Sequence, residues 1–312
     1  MSKISREKAP RIVVVGSTMI DMITYSQKIP SAGETVIGDS FSLGFGGKGA
    51  NQAVMASRLG AEVFMVNTLG DDVFGDTTVK NFQEQGINTT YVARVAGASG
   101  VAPIWVEPNG TNRIICVPGA NTAMTISQVT HALSELSDID LVIGQLEIPQ
   151  EVTAAAFAAA QARGIPTILN PAPFAPLTDA IRASSEWIIP NETEFAGLNP
   201  SGALPHNDEE ILAVSRALDC KFVVTLGEQG AAFTNATGAV ERVAAPRVNA
   251  IDTTGAGDAF VGAFAYGLGL GMSMHEAIAL GCACASDSVT RKGTQSSYPT
   301  KSQAGEILSR FI

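Results

Sequence analysis

Charged side chains are scarce in this sequence. Asp, Glu, Lys and Arg make up 16% of its 312 residues, against about a quarter in an average globular domain. Bases are the scarcer sign: 20 Lys and Arg stand against 30 Asp and Glu, a formal net charge of −10. A nucleic-acid surface needs clustered bases, and the only adjacent basic pair late in the chain is Arg291-Lys292. A polynucleotide partner is therefore excluded. Any anionic ligand has to be held by local donors against an unfavourable overall field. Cysteine is also sparse, and the four present (Cys116, Cys220, Cys282 and Cys284) show no CxxC spacing. They read as buried free thiols, the commonest state of an unpaired cysteine. The three histidines, His131, His206 and His275, have no metal-ligand spacing and read as surface residues. No apolar run is long enough to span a bilayer, and the charged first residues lead only into residues 12–15. Neither a signal peptide nor a membrane helix is expected. The expected setting is the reducing cytoplasm, with no membrane partner.

Hydrophobic residues reach 46%, which excludes a disordered chain and supplies a two-sided core. Short apolar runs at residues 12–15, 63–67, 141–145, 167–170, 187–189 and 222–226 predict strands. Ala-rich or amphipathic stretches at 50–59, 76–85, 151–162 and 208–218 predict helices between them. Strands apolar on both faces, separated by helices, predict an α/β domain whose parallel sheet is covered on both sides. Two stretches, 18–45 and 99–121, alternate like strands without a helix, and Pro108-Asn109-Gly110 is a hairpin turn signal. They predict antiparallel strands outside the main sheet, forming a small lid on one domain spanning 1–312.

Two glycine-rich loops carry the chemistry. Gly44-Phe45-Gly46-Gly47-Lys48-Gly49 formally fits GxGxxG, but the half-polar residues before it are a poor buried strand, which argues against a dinucleotide fold. Lys48 is followed by Gly49 where a phosphate-binding P-loop needs Ser or Thr, so that class is out. The loop is either a tight turn opening a helix or a place where backbone approaches a small polar ligand, with Lys48 and Asn51 as donors. The second loop, Asp252-Thr253-Thr254-Gly255-Ala256-Gly257-Asp258, precedes an apolar helix over 259–268. First-turn N–H groups lack partners within a helix, so this end suits an anion. Asp258 is either a helix-start carboxylate or a base accepting a proton from an attacking hydroxyl beside that anion. The flanking glycines favour the base.

These loops together, residues 46–53 and 252–260, resemble the two signatures of the PfkB family of carbohydrate kinases, and within it the ribokinase subfamily. Further matches run through Gly16-Ser17, Gly33-Glu34-Thr35, Gly119-Ala120-Asn121, Gln145-Leu146-Glu147, Asn170-Pro171-Ala172-Pro173, Asn191-Glu192-Thr193-Glu194, residues 225–230 and residues 291–299. The resemblance implies a ribokinase-like three-layer α/β/α domain with a β-sheet lid, transferring phosphate from ATP to O5 of D-ribose. It implies a sugar site from Met19, Asp21, Gly47, Lys48, Gly49, Ala50, Asn51 and Glu147, with Asp258 as base and Gly255, Ala256 and Gly257 as the anion hole. The implied ATP site is Asn191, Glu194, Thr225, Leu226, Gly227, Glu228, Gln229, Gly230, Gly257 and Cys282. Mg²⁺ is implied to travel with ATP near Glu194. The implied monovalent cation site, usually for K⁺, is Asp252, Thr254, Ser288, Arg291, Gly293 and Ser297. A homodimer through the lid is implied as well.

Taken alone, Asp21 also reads as a turn carboxylate, Glu147 as a loop charge, and Asn191 with Glu194 as a helix start. One position departs from the family. Bacterial ribokinases usually have Asn where this chain has Met19, and a thioether is at best a weak acceptor. That departure makes 2-deoxyribose the alternative substrate. Adenosine kinase, fructokinase and a silent sugar sensor are the remaining rivals; the sensor is disfavoured because Asp258 is present.

Overall fold

The computed structural model describes residues 8–108 and 111–312. Its strands, in chain order, are β1 (Arg11–Val15), β2 (Met19–Tyr25), β3 (Ser40–Gly46), β4 (Glu62–Gly70), β5 (Asn88–Val95), β6 (Val101–Val106), β7 (Asn112–Ile114), β8 (Leu141–Gly144), β9 (Thr167–Leu169), β10 (Trp187–Ile188), β11 (Lys221–Thr225), β12 (Ala231–Thr234) and β13 (Val240–Val243). Its helices are α1 (Lys48–Leu59), α2 (Val73–Glu84), α3 (Ile126–Glu135), α4 (Gln150–Gln161), α5 (Asp179–Ser184), α6 (Glu192–Leu198), α7 (Asp208–Leu218), α8 (Ala256–Leu270), α9 (Met274–Ser288) and α10 (Lys301–Leu308).

Nine strands form the main sheet in the order β13-β12-β11-β10-β9-β8-β1-β4-β5. Pairing is parallel from β11 to β5 and antiparallel only where β12 and β13 close one side. Successive side chains of a strand point to opposite faces, and β1 shows what this does. Ile12 and Val14 enter a core shared with α1, α8, α9 and α10. Val13 and Val15 enter a second core with α3, α4 and α7. The result is the expected three layers.

The lid is a four-stranded sheet in the order β3-β2-β6-β7. One expectation is corrected here: β2 and β6 pair parallel, not antiparallel. β2 and β6 follow β1 and β5, which run the same way in the main sheet, so both excursions leave its C-terminal edge in one direction. The expected hairpin turn falls at Asn109 and Gly110, outside the described residues, but β6 and β7 do pair antiparallel on either side of it.

The tightest helix contact joins α1 to α8. A Cβ placed on Gly262 of α8 would lie 2.5 Å from the carbonyl oxygen of Gln52 and 2.9 Å from Cβ of Met55. Only glycine allows the two backbones to sit this close, and both helices begin at the same edge of the sheet. Replacing Gly262 with Ala is expected to destabilise the fold by about 1–3 kcal/mol through overpacking. Urea unfolding measures this, and a midpoint equal to the parent's would show that α1 can shift without cost.

Candidate active site

At the C-terminal ends of the parallel strands lies a cavity of about 190 Å³. Its wall includes Lys48, Asn170, Asn191, Glu194, Thr225, Gly255, Gly257 and Asp258. A larger depression of about 1390 Å³ lies at the opposite end of β10 and β11, beside Lys221, Met274 and His275. It is an open surface without converging buried polar groups, so the smaller cavity is the candidate. Open α/β sheets bind ligands at this strand end.

Helix α8 aims its N-terminus into the cavity. Its N-cap, Gly255, has a left-handed backbone (φ 76°), and Ala256, Gly257 and Asp258 form the first turn. The Tyr298 hydroxyl donates to the Gly255 carbonyl at 2.8 Å. A Cβ on Gly257 would meet nothing within 4 Å, so open space faces the helix end where a phosphate oxygen can approach backbone. The Ala256 N–H is turned back to the Thr253 carbonyl at 3.2 Å. Asp258 is buried, and each carboxylate oxygen accepts one amide: Oδ2 from Asn51 Nδ2 at 2.9 Å and Oδ1 from Gln52 Nε2 at 3.0 Å.

Lys48 opens α1 behind its N-cap Gly47. The Lys48 N–H donates to Glu147 Oε2 at 2.9 Å, and the Ser17 hydroxyl donates to the same oxygen. The Gly49 N–H reaches Ser17 Oγ at 3.4 Å. Burial opposes the charge on Lys48, but Asp258, Glu147 and Glu194 outweigh it and raise the ammonium's pKa. Ala50 is different: its side chain is in the core and its N–H donates to the Ser17 carbonyl, so it offers the cavity nothing.

Asp21 lies in the middle of β2, opposite Gly44 on β3 and Ala102 on β6, and is buried. Burial, with smaller contributions from Glu147 and Asp258, raises its pKa from 3.8 to about 6, against a hydrogen bond from Thr294 Oγ1 at 3.3 Å. Met19 is buried two residues earlier, opposite Gly46. Asn191 and Glu194 form a capping box at the start of α6, and both still reach the cavity. Burial raises the Glu194 pKa while Lys48 opposes.

The other expected nucleotide residues stand outside this cavity. Leu226 is buried, Gly227–Gln229 form an exposed 3-10 turn after β11, and the Leu226 N–H closes it on the Gly230 carbonyl at 2.7 Å. Cys282 is packed in the core through α9.

The expected cation residues do meet. Asp252 Oδ1 accepts from the Thr254 N–H and hydroxyl at 2.9 and 2.6 Å, and Oδ2 accepts from the Gly293 N–H at 2.9 Å. Burial works against its charge, but these bonds and Lys292 lower its pKa. Arg291 donates through Nε to the Ser297 carbonyl at 2.9 Å and pairs with Asp287, while the Ser288 hydroxyl caps the Ala285 carbonyl. The oxygens gathered here, one carboxylate among neutral carbonyls and hydroxyls, are hard donors, and the Arg291 guanidinium stands beside them. Among the described residues no three His, Cys, Asp or Glu side chains cluster as a metal site.

Cys116 and Cys220 correct the expectation of buried thiols: Cys116 is exposed and Cys220 half-buried, while Cys282 and Cys284 are buried. Val101 bridges Val117, and the Ile115 N–H donates to the Pro103 carbonyl, so Cys116 stands opposite Ala102, which stands opposite Asp21. Cys116 thus shares one face of the lid with Asp21. Its spacing resembles no motif, and only strand register reveals this. Burial raises its pKa, and Glu147 and Asp21 add to the rise.

Residues 9–301 match the pfkB family carbohydrate kinases. The chain belongs to this family. It is a sugar kinase, and its fold is ribokinase-like. A Salmonella typhi protein named deoxyribokinase is 41% identical over 304 residues, covering 96% of this chain and 98% of that one. A Bacillus subtilis ribokinase is 39% identical over 302 residues, covering 96% and 99%. The structure of Arabidopsis thaliana ribokinase complexed with ribose and ATP matches with a TM-score of 0.87 at 29% identity, over 96% of this chain and 99% of that one. These PfkB relatives extend over both the main sheet and the lid.

Two outcomes follow for this PfkB site. Folding holds the Asp21 proton more tightly than the unfolded chain does, so ionised Asp21 costs stability. The cost is absent below pH 3.8, grows up to pH 6 and is complete above it, at most about 3 kcal/mol. Asp21→Asn is expected to melt several degrees above the parent at pH 8, with the gap closing towards pH 4; a gap that widens on acidification would contradict this. Of the four thiols, Cys116 alone is expected to react quickly with a thiol reagent, because burial pushes Cys220 and Cys282 up to about 12 and Cys284 higher still. Rapid titration of a second thiol counts against that assignment.

Proposed function

We propose that this PfkB kinase transfers the γ-phosphoryl group of ATP to the 5-hydroxyl of D-ribose. The observation that carries the reading is the Asp258 carboxylate, buried at the N-terminus of α8 and held by two neutral amides beside the Lys48 ammonium. The sugar lies between the sheet edge and the lid, met by Asp21, Lys48, Asn51, Glu147 and the backbone of Gly47 and Gly49. Asp258 accepts the proton of O5 as the O5–phosphorus bond forms and the bond to ADP breaks. The end of α8 at Gly255, Ala256 and Gly257 stabilises charge on the transferred group. ATP lies along Asn191, Glu194, Thr225 and residues 226–230, with Cys282 giving at most an apolar contact. Closure of the lid excludes water that would otherwise hydrolyse ATP.

Mg²⁺ belongs with the ATP phosphates near Glu194 and neutralises their charge. K⁺ belongs at Asp252, Thr254, Ser288, Arg291, Gly293 and Ser297, where it orders the loop that leads into α8. The lid exposes Ile37, Phe41, Leu43, Ile114, Ile115 and Val117, each at least 46% accessible, which supports pairing of two lids in a homodimer. We take residues 1–312 as one cytoplasmic kinase domain, with the lid inserted at 18–45 and 99–121.

A specific observation keeps 2-deoxyribose as the second reading. Met19 is buried in the strand that carries Asp21, and it cannot replace the hydrogen bond of an Asn to a sugar hydroxyl. One such bond is worth about 0.5–1.5 kcal/mol, or about 2- to 13-fold.

ADP release with D-ribose, 2-deoxyribose, fructose or adenosine, with and without K⁺, tests both readings. Ribose is expected to lead, with K⁺ raising the rate, and Met19→Asn to raise the ribose-to-deoxyribose ratio of kcat/KM by about 2- to 13-fold. A lead for 2-deoxyribose moves the specificity without touching the mechanism. Asp258→Asn is expected to lower kcat by about 10²–10⁴-fold while sugar binding survives. Parent-like turnover in that variant sinks the proton-transfer role.

A further inference from the structure

Asp258 ends two chains of buried amides, and beyond Asn51 and Gln52, which hold its carboxylate, their members have no role in the proposed reaction. In the first chain, Asn81 Nδ2 donates to Gln295 Oε1 at 3.0 Å, Gln295 Nε2 to Asn51 Oδ1 at 3.1 Å, and Asn51 Nδ2 to Asp258 Oδ2. In the second, Gln145 Nε2 donates to Gln52 Oε1 at 2.7 Å, and Gln52 Nε2 donates to both Asp258 Oδ1 and Asn170 Oδ1, the latter at 3.2 Å. Asn170 Nδ2 donates to the Ile189 carbonyl at 2.9 Å. None of these six amides is more than 7% exposed. Every bond in the first chain points towards the carboxylate.

An amide has an acceptor end and a donor end of nearly equal shape, so its orientation is set by what it meets. The second chain is anchored: the Ile189 carbonyl can only accept, which turns Asn170, and Asn170 turns Gln52 so that its NH₂ faces Asp258. In the first chain the Asp258 carboxylate, which only accepts, draws the Asn51 NH₂, and the Gln295 NH₂ holds the other end of the amide by occupying the Asn51 oxygen. Without Gln295, that buried oxygen loses its donor and the Asn51 side chain loses the contact that fixes its place against Asp258.

We infer that Gln295 is a positioning residue for the phosphoryl transfer: by holding the Asn51 oxygen it locks the Asn51 amide in place against Asp258, with Asn81 holding Gln295 in turn. The inference rests on Asp258 being the base. Lys48, Asp21, Glu194 and Tyr298 also face Asp258, from α1, β2, α6 and the segment before α10. They are common to all variants below, so ratios to the parent isolate the amide chain.

The test uses the full-length enzyme with saturating ATP, Mg²⁺ and D-ribose, or 2-deoxyribose if that sugar leads. Gln295→Met removes the lock without adding charge, and kcat is expected to fall about tenfold at every pH, with KM for ATP within about threefold of the parent. Gln295→Glu separates orientation from packing. Its protonated carboxyl donates to Asn51 as the amide did, whereas its ionised form offers only acceptors and competes with Asp258 for the Asn51 NH₂. The ratio of its kcat to the parent's is therefore expected to fall about tenfold or more between pH 6 and pH 9. A Met variant within twofold of the parent, or a Glu variant whose ratio does not fall with pH, overturns the inference. If neither variant folds, Asn81→Leu, one bond further away, is expected to lower kcat several-fold, and parent-like turnover there overturns it equally. Asp258→Asn keeps the two levels apart: if it is inactive while the Gln295 variants are unaffected, only the lock fails, and if it is active, the base assignment fails.

Discussion

One ammonium stands among four carboxylates. Lys48 interacts with Asp258, Glu147 and Glu194, and Asp21 adds a fourth acid through its interactions with Glu147 and Asp258. In a low-dielectric cleft, like charges this close oppose one another's ionisation. Asp21 and Glu194 show the consequence as raised pKa values, with burial the larger cause in both. A site so rich in acid is a poor place for a polyphosphate unless positive potential is supplied from elsewhere. The end of α8 supplies part of it, and a cation carried by the nucleotide would supply more. The protein's own net charge of −10 works the other way. The sugar, being neutral, meets the acids without that conflict, since carboxylates are strong acceptors for hydroxyl groups.

That arrangement depends on how the chain reaches one edge of the sheet many times. Parallel strands end together, so residues distant in sequence, such as Ser17, Glu147 and Asn170, arrive at one rim. α1 and α8 then start at that rim and run away from it side by side, separated at Gly262 by little more than two backbones. Their closeness brings Asn51 and Gln52, consecutive on α1, onto the two oxygens of Asp258 in the first turn of α8. Consecutive helical residues point about 100° apart and seldom reach one partner. A partner with two acceptor atoms, buried between them, permits it.

What could be read from the sequence was local. Gly255, Ala256, Gly257 and Asp258 announce an anion-binding helix end, and Lys48 among glycines announces a close backbone approach, because each signal lies within a few residues. The strands buried on both faces were legible for the same reason. β5, β12 and β13 were not anticipated: β5 alternates polar with apolar as the sheet's exposed margin, and the other two are only four residues long. Parallel pairing within the lid depends on where two excursions leave the main sheet, which no local pattern records. Cys116 was misread because a strand's facing side follows from register with β6, and register is a property of two segments. Gln145, Asn170 and Gln295 belonged to recognisable motifs, but a glutamine in a motif does not say which of its ends faces which neighbour.

In the proposed reaction, with Asp258 as base, the amides also answer a requirement that cations could not meet as well. A base that takes a proton in the transition state must be held in place without having its charge quenched. An Arg or Lys bonded to Asp258 would orient it firmly, but charge-assisted bonds are about twice as strong as neutral ones, and that strength favours the ionised form and weakens the base. Neutral amides orient the carboxylate at smaller cost to its basicity. Their weakness is ambiguity of direction, and the second chain removes it by ending on a main-chain carbonyl, which cannot donate. Lys48 fits the same logic. Its charge is shared among several carboxylates rather than spent on Asp258 alone.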